Sequence, residues 1–115
     1  MLNVANDLRN DSQAGASRVS SRFLGMLEYR KEQAMVMVLE ISQTFIRLRI
    51  NKGEWVPPNL EVQFLSPETG HIEGVVAWCK GTDIGIELMQ NTKTQANMTA
   101  YFRNFHPELR RVLKW

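Results

Sequence analysis

The 115-residue chain has one cysteine, two histidines and no long hydrophobic run. Each shortage removes a class of protein. Cys79 alone allows no internal disulfide, which fits a reducing cytosol. The longest uninterrupted apolar stretch, Ala34–Leu39, is six residues, against roughly 20 for a bilayer-spanning helix. The opening MLNVANDLRND carries acids and amides where a signal peptide needs a basic flank and an apolar stretch. These features predict a cytoplasmic protein without membrane insertion. Fourteen basic and twelve acidic residues leave a formal charge of only +2. Spread so evenly, it does not predict nucleic-acid binding.

Most catalytic readings fail on the same inventory. His71, His106 and Cys79 lack the number and spacing of a structural zinc site. The chain holds no phosphate-binding glycine loop and no GxSxG elbow. A non-enzymatic binding module is therefore the expectation, with no metal or resident cofactor.

What is present is a run of short strands. Residues 1–17 are polar, small and weakly periodic, and read as a flexible lead-in. Arg22–Arg30 and Ala34–Ile41 are rich in apolar and β-branched residues, with Lys31–Gln33 as the turn between them. In the next segment, Ile46, Leu48 and Ile50 alternate with Arg47 and Arg49. Leu60, Val62 and Phe64 alternate with Glu61 and Gln63, and two further strands follow at Ile72–Cys79 and Asp83–Met89. Six strands with turn signals between them predict a small antiparallel barrel over residues 18–90. Residues 91–115 read differently. Met98, Phe102, Phe105, Leu109 and Val112/Leu113 recur at helical spacing, so a C-terminal helix packs its apolar stripe on the barrel. Thr92 or Thr94 caps its start, and His106-Pro107 marks a kink or a boundary.

Two short pieces carry recognisable chemistry. Arg18 and Arg22 stand four residues apart just before the first strand, and Glu40-Ile41-Ser42 leaves the second. If these strands form a hairpin, both pieces meet at one barrel edge. Two guanidinium forks beside a carboxylate and a hydroxyl suit a ligand bearing phosphates and purine edges.

These residues resemble the PilZ family, bacterial domains that bind cyclic di-GMP. The resemblance spans about residues 17–89 and has three parts. They are the RxxxR pair Arg18/Arg22, a degenerate [D/N]xSxxG motif from Glu40 to Phe45, and the closing strands. Gly74-Val-Val-Ala-Trp78 followed by Asp83-Ile-Gly-Ile-Glu-Leu88 is similar to the family's last two strands. The resemblance implies a six-stranded PilZ-like β-barrel with a terminal helix. It also implies cyclic di-GMP gripped by Arg18, Arg22, Glu40 and Ser42, with Trp78 bordering the nucleotide. Binding would order residues 1–22 and present a surface to a protein partner of unknown identity.

The chain departs from that pattern at three positions. Glu40 replaces Asp or Asn, Phe45 stands where the family has glycine, and Ser17 precedes Arg18 where a further arginine is common. The alternative they support is a PilZ-like interaction module that has lost nucleotide binding.

Other residues read more plainly. Trp78, flanked by apolar neighbours, reads as core. Arg47 and Arg49 form an exposed strand face or contribute to an anionic pocket, and His71 is exposed. Cys79 packs. Trp55 either covers a barrel end or faces a partner.

Overall fold

In the computed structural model, which describes residues 18–51 and 55–107, the apolar alternation closes on itself as a barrel. The strands are β1 (Val19–Tyr29), β2 (Glu32–Ile41), β3 (Phe45–Ile50), β4 (Glu61–Ser66), β5 (Gly70–Lys80) and β6 (Asp83–Leu88). They follow the order β1-β2-β3-β6-β5-β4, every neighbouring pair is antiparallel, and β4 returns to β1. Among the described residues one helix, α1 (Thr92–Phe105), follows. A closed sheet leaves no edge strand exposed to another chain. The predicted six-stranded barrel with a C-terminal helix is the observed fold.

Period-2 alternation builds the interior. Ile46, Leu48 and Ile50 of β3 are fully or almost fully buried, as are Val36 and Val38 of β2, Phe64 of β4 and Ile84 and Ile86 of β6. Burying each such side chain contributes about 1.5–3 kcal/mol. The β1–β2 turn is tighter than the sequence suggested. Arg30 and Lys31 both take positive φ, 50° and 65°, and Glu32 and Gln33 already belong to β2. This is the two-residue geometry whose twist matches the flanking strands. Without Asn or Gly at the turn, its position was not legible.

Helix α1 lies across one mouth of the barrel. Met98, Tyr101 and Phe102 enter the core, at 0%, 2% and 0% exposure. Asn91, rather than Thr92 or Thr94, caps the start, its Oδ1 accepting from the Thr94 N–H at 2.8 Å. Thr94 is buried, and its hydroxyl is satisfied by accepting from the Glu73 N–H of β5. The predicted stripe is also rotated: Phe105 is half exposed and Tyr101 takes its place. The expected lead-in, 1–17, and the stripe residues Leu109, Val112 and Leu113 lie outside the described residues. The helix stops at His106, whose N–H bonds to the Phe102 carbonyl. Asn97 Nδ2 donates to the His71 carbonyl at 2.7 Å, and Gln43 Nε2 to Thr99 Oγ1 at 3.0 Å. These bonds tie α1 to β5 and to the β2–β3 loop. No helix among the described residues is long and apolar enough to cross a membrane.

Candidate functional site

Three β-bulges re-aim the side chains of one rim of the barrel. A bulge inserts an unpaired residue, and everything beyond it changes face. On β1 the pairing with β2 shifts between Ser20↔Glu40 and Phe23↔Val38, so Ser21 and Arg22 stand opposite Leu39. The Arg22 Nη1 donates to the Leu39 and Ser21 carbonyls, both at 2.8 Å. Arg22 therefore sits inside β1 rather than before it. On β2 the shift with β3 falls between Val38 and Glu40. Val38 and Leu39 are both buried, and Glu40 emerges opposite Arg47. On β5 the shift with β6 lies between Val76 and Trp78.

That third bulge overturns the core reading of Trp78. Simple alternation from buried Val76 would turn Trp78 inward. Instead Trp78 pairs with Gly85, lies 37% exposed on the outer face, and Cys79 packs against the core. Gly85 makes this seat possible. A side chain there would run into the Trp78 indole and the Phe45 ring.

The residues brought together form a charged ladder beside an aromatic pair. Val19↔Ile41 and Ser20↔Glu40 pairing carries Arg18 to the end of β2. Its guanidinium lies 4.5 Å from the centroid of the Phe45 ring, and its Nη1 is 3.6 Å from Glu40 Oε1. Glu40 Oε2 accepts from Arg47 Nη2 at 3.3 Å, and Arg47 Nη1 donates to Asp83 Oδ2 at 3.0 Å. Arg49 Nε reaches the other Asp83 oxygen, also at 3.0 Å. Glu40, by its hydrogen bond, and then Asp83 hold the Arg47 pKa above its ordinary value, while partial burial opposes them.

Ser42 is 1% exposed. Its hydroxyl donates to the Phe45 carbonyl at 3.3 Å and accepts from the Thr44 N–H at 3.2 Å. It shapes the loop that carries Phe45 under Arg18. Of the five predicted site residues, Arg18 and Glu40 touch directly, Trp78 shares their outer face, and Arg22 is anchored in the adjoining bulge. Asp83 was not foreseen. The signal for it was the pair of outward arginines on β3, which need counter-charges from both neighbouring strands.

Elsewhere the chemistry is sparse. The described residues hold no group of three or more His, Cys, Asp or Glu arranged to take a metal ion. His71 Nε2 bonds to Gln63 at 2.8 Å, and Cys79 Sγ accepts from the Val56 N–H. An open depression of about 800 Å³ lies at the β1–β2 turn, lined by Glu28, Arg30, Lys31, Glu61 and Glu73 among others. It contains none of the predicted site residues.

No protein-family model matches the sequence, and no curated protein matches it either. The backbone does find counterparts. It superposes with a TM-score of 0.68 on the PilZ domain of YcgR from Escherichia coli, solved with c-di-GMP. The chain has the PilZ fold. The match covers 87% of this chain and 96% of the YcgR domain at 6% sequence identity. A second PilZ-fold match is the PlzA protein of Borreliella burgdorferi in complex with c-di-GMP. Its TM-score is 0.59 at 10% identity, covering 86% of this chain but only 45% of PlzA. At such identities the PilZ likeness is one of backbone, and the site rests on its own side chains.

Proposed function

We propose that this domain is a receptor for cyclic di-GMP, cytoplasmic and without catalysis, which couples the nucleotide to a partner protein. The observation that carries the reading is the meeting of Arg18, Arg22 and Glu40 at a bulged rim of a PilZ-fold barrel. Arg18 and Arg22 would hold phosphates and guanine faces, Glu40 would accept from a guanine edge, and Trp78 would border the base. Ser42 would keep the loop in shape from within.

Energetics favour release of Arg18 to a ligand. The Arg18–Glu40 pair is 3.6 Å long with side chains 47% and 32% exposed, so it contributes about 0.2–1 kcal/mol at most. A charge-assisted bond to phosphate contributes about 1.5–3 kcal/mol. Arg22 uses one nitrogen on the bulge carbonyls, and its Nε and Nη2 have no partner among the described residues.

The test is a calorimetric titration of the domain with cyclic di-GMP, with GTP as control, repeated on Arg18→Ala and Arg22→Ala. Binding at about micromolar Kd, weakened roughly ten- to a hundredfold by either substitution, is expected. Unchanged affinity in both variants would remove this site from the proposal.

A second reading has its own observation. Phe45 occupies the face of the Arg18 guanidinium, and both Glu40 oxygens are paired. A domain that works through protein contacts, without nucleotide, would keep such a self-satisfied rim. Titration heat in Phe45→Gly but none in the natural chain would favour it.

A further inference from the structure

On the outer side of β4, β1 and β2 a block of apolar side chains lies between Arg22 at one end and Glu28, Gln33 and Gln63 at the other. Leu24 and Met26 point outward from β1, Met35 and Met37 from β2, and Leu65 from β4. Leu24 is 52% exposed and Met35 47%. The pairing makes them contiguous: Leu24↔Met37, Met26↔Met35 and Met26↔Leu65 are directly opposite. Single exposed apolar residues need no explanation, but a continuous patch marks an interaction surface, and methionine adapts well to one.

The arrangement of the patch identifies its occupant. Gly25 pairs with Val36 at its centre. Leu24 and Met26 flank Gly25, Met37 and Met35 flank Val36, and Arg22 and Glu28 stand three residues from Gly25 on either side. Within β1 and β2 the pattern is symmetric in Leu24/Met26 and Met37/Met35 and antisymmetric in Arg22 and Glu28. A two-fold axis between two such faces, running across the strands at Gly25, lays Leu24 on the partner's Met26 and Met37 on the partner's Met35. The same rotation sets Arg22 against the partner's Glu28, once at each end. An isologous interface requires this self-complementarity.

We propose that the Leu24/Met26/Met35/Met37 face is a homodimer interface, with the β1 strands of two copies antiparallel and Arg22–Glu28 pairs closing both ends. Arg22 is shared with the proposed nucleotide site, so association is measured without nucleotide, where the dimer stands or falls on its own.

The experiment is sedimentation equilibrium of the full chain over roughly 1 µM to 1 mM, a span that covers weak to moderate association. Expected is a concentration-dependent dimer. Leu24→Asp should raise the dissociation constant about a hundredfold, because each substitution occurs twice in a two-fold interface. Glu28→Arg should weaken the dimer, and the exchanged pair R22E/E28R should restore it. A monomer throughout the range overturns the proposal, as does a dimer indifferent to Leu24→Asp. A dimer weakened by Leu24→Asp and by Glu28→Arg but not restored by the exchange overturns the antiparallel arrangement. Should R22E/E28R fail to fold, the natural chain, Leu24→Asp and Glu28→Arg still decide.

Discussion

Two outer faces of one barrel, both joined to β2, have opposite characters. Across β2, β3, β6 and β5 the surface is a ladder of alternating charge ending on two aromatic rings. Across β4, β1 and β2 its central part is methionine and leucine. The inward sides of the same strands are nearly interchangeable Val, Ile, Leu and Phe. Every strand spends half its positions on closing the core, and the other half is free to specialise. The charged face depends on bulges that set side chains at particular distances. The apolar face of regular pairing needs only contiguity.

Damage beneath both faces should have the largest effect. Phe102→Ala removes a fully buried ring from the mouth that α1 closes. It should cost about 3–5 kcal/mol in urea unfolding; a loss under about 1 kcal/mol would mean that α1 is not part of the common core.

Gly85→Val should strike the charged face alone, because its side chain collides with Trp78 and Phe45. A cost of about 1–3 kcal/mol is expected, with a change in tryptophan fluorescence from the displaced indole. Normal stability and emission would show that the rings do not rest on that glycine.

Salt separates the two faces further. Arg47→Met leaves Glu40 and Asp83 facing each other without the cation between them. It should cost about 1 kcal/mol in dilute buffer, shrinking near 1 M salt as screening takes over. Met35→Gln, half exposed on the other face, should change unfolding of the monomer, measured at protein concentrations well below the dimer dissociation constant, by less than about 0.5 kcal/mol at either salt concentration. Equal salt dependence in the two variants would erase the distinction.

The smallest effect concerns the mouth beside β1. The Tyr101 hydroxyl bonds to His106 Nε2 at 2.8 Å and to Ser21 at 3.0 Å, and burial raises its pKa above the usual 10. A raised folded pKa means that this stabilisation is complete below about pH 10 and is lost as pH climbs through the folded value. Comparing unfolding at about pH 8 and pH 11, the natural chain should lose more stability than Tyr101→Phe. An identical loss in both would place the alkaline sensitivity elsewhere.

Much of the barrel was legible. Ile46/Leu48/Ile50 against Arg47/Arg49 marked β3 with its faces the right way round, and all six strands fell close to their predicted bounds. The β1–β2 turn, the cap at Asn91 and the outward Trp78 were not. Arg30-Lys31 has no turn composition. Asn91 competed with two nearby threonines, one of which β5 takes. A bulge at Val76 leaves no mark in the residues themselves.

The sequence by itself determined the number of strands, their inner faces, the terminal helix and the presence of an arginine pair near a carboxylate. Alternation and helical spacing are local properties, and local sterics and burial enforce them. Only the tertiary structure decided that Glu40 bridges Arg18 and Arg47, that Asp83 completes the ladder, that Trp78 lies over Gly85 and that five apolar side chains form one face. Those follow from cross-strand register. A bulge shifts register by one residue and so turns every later side chain to the opposite face, and the hydrogen bonds that choose its place join residues far apart in the chain.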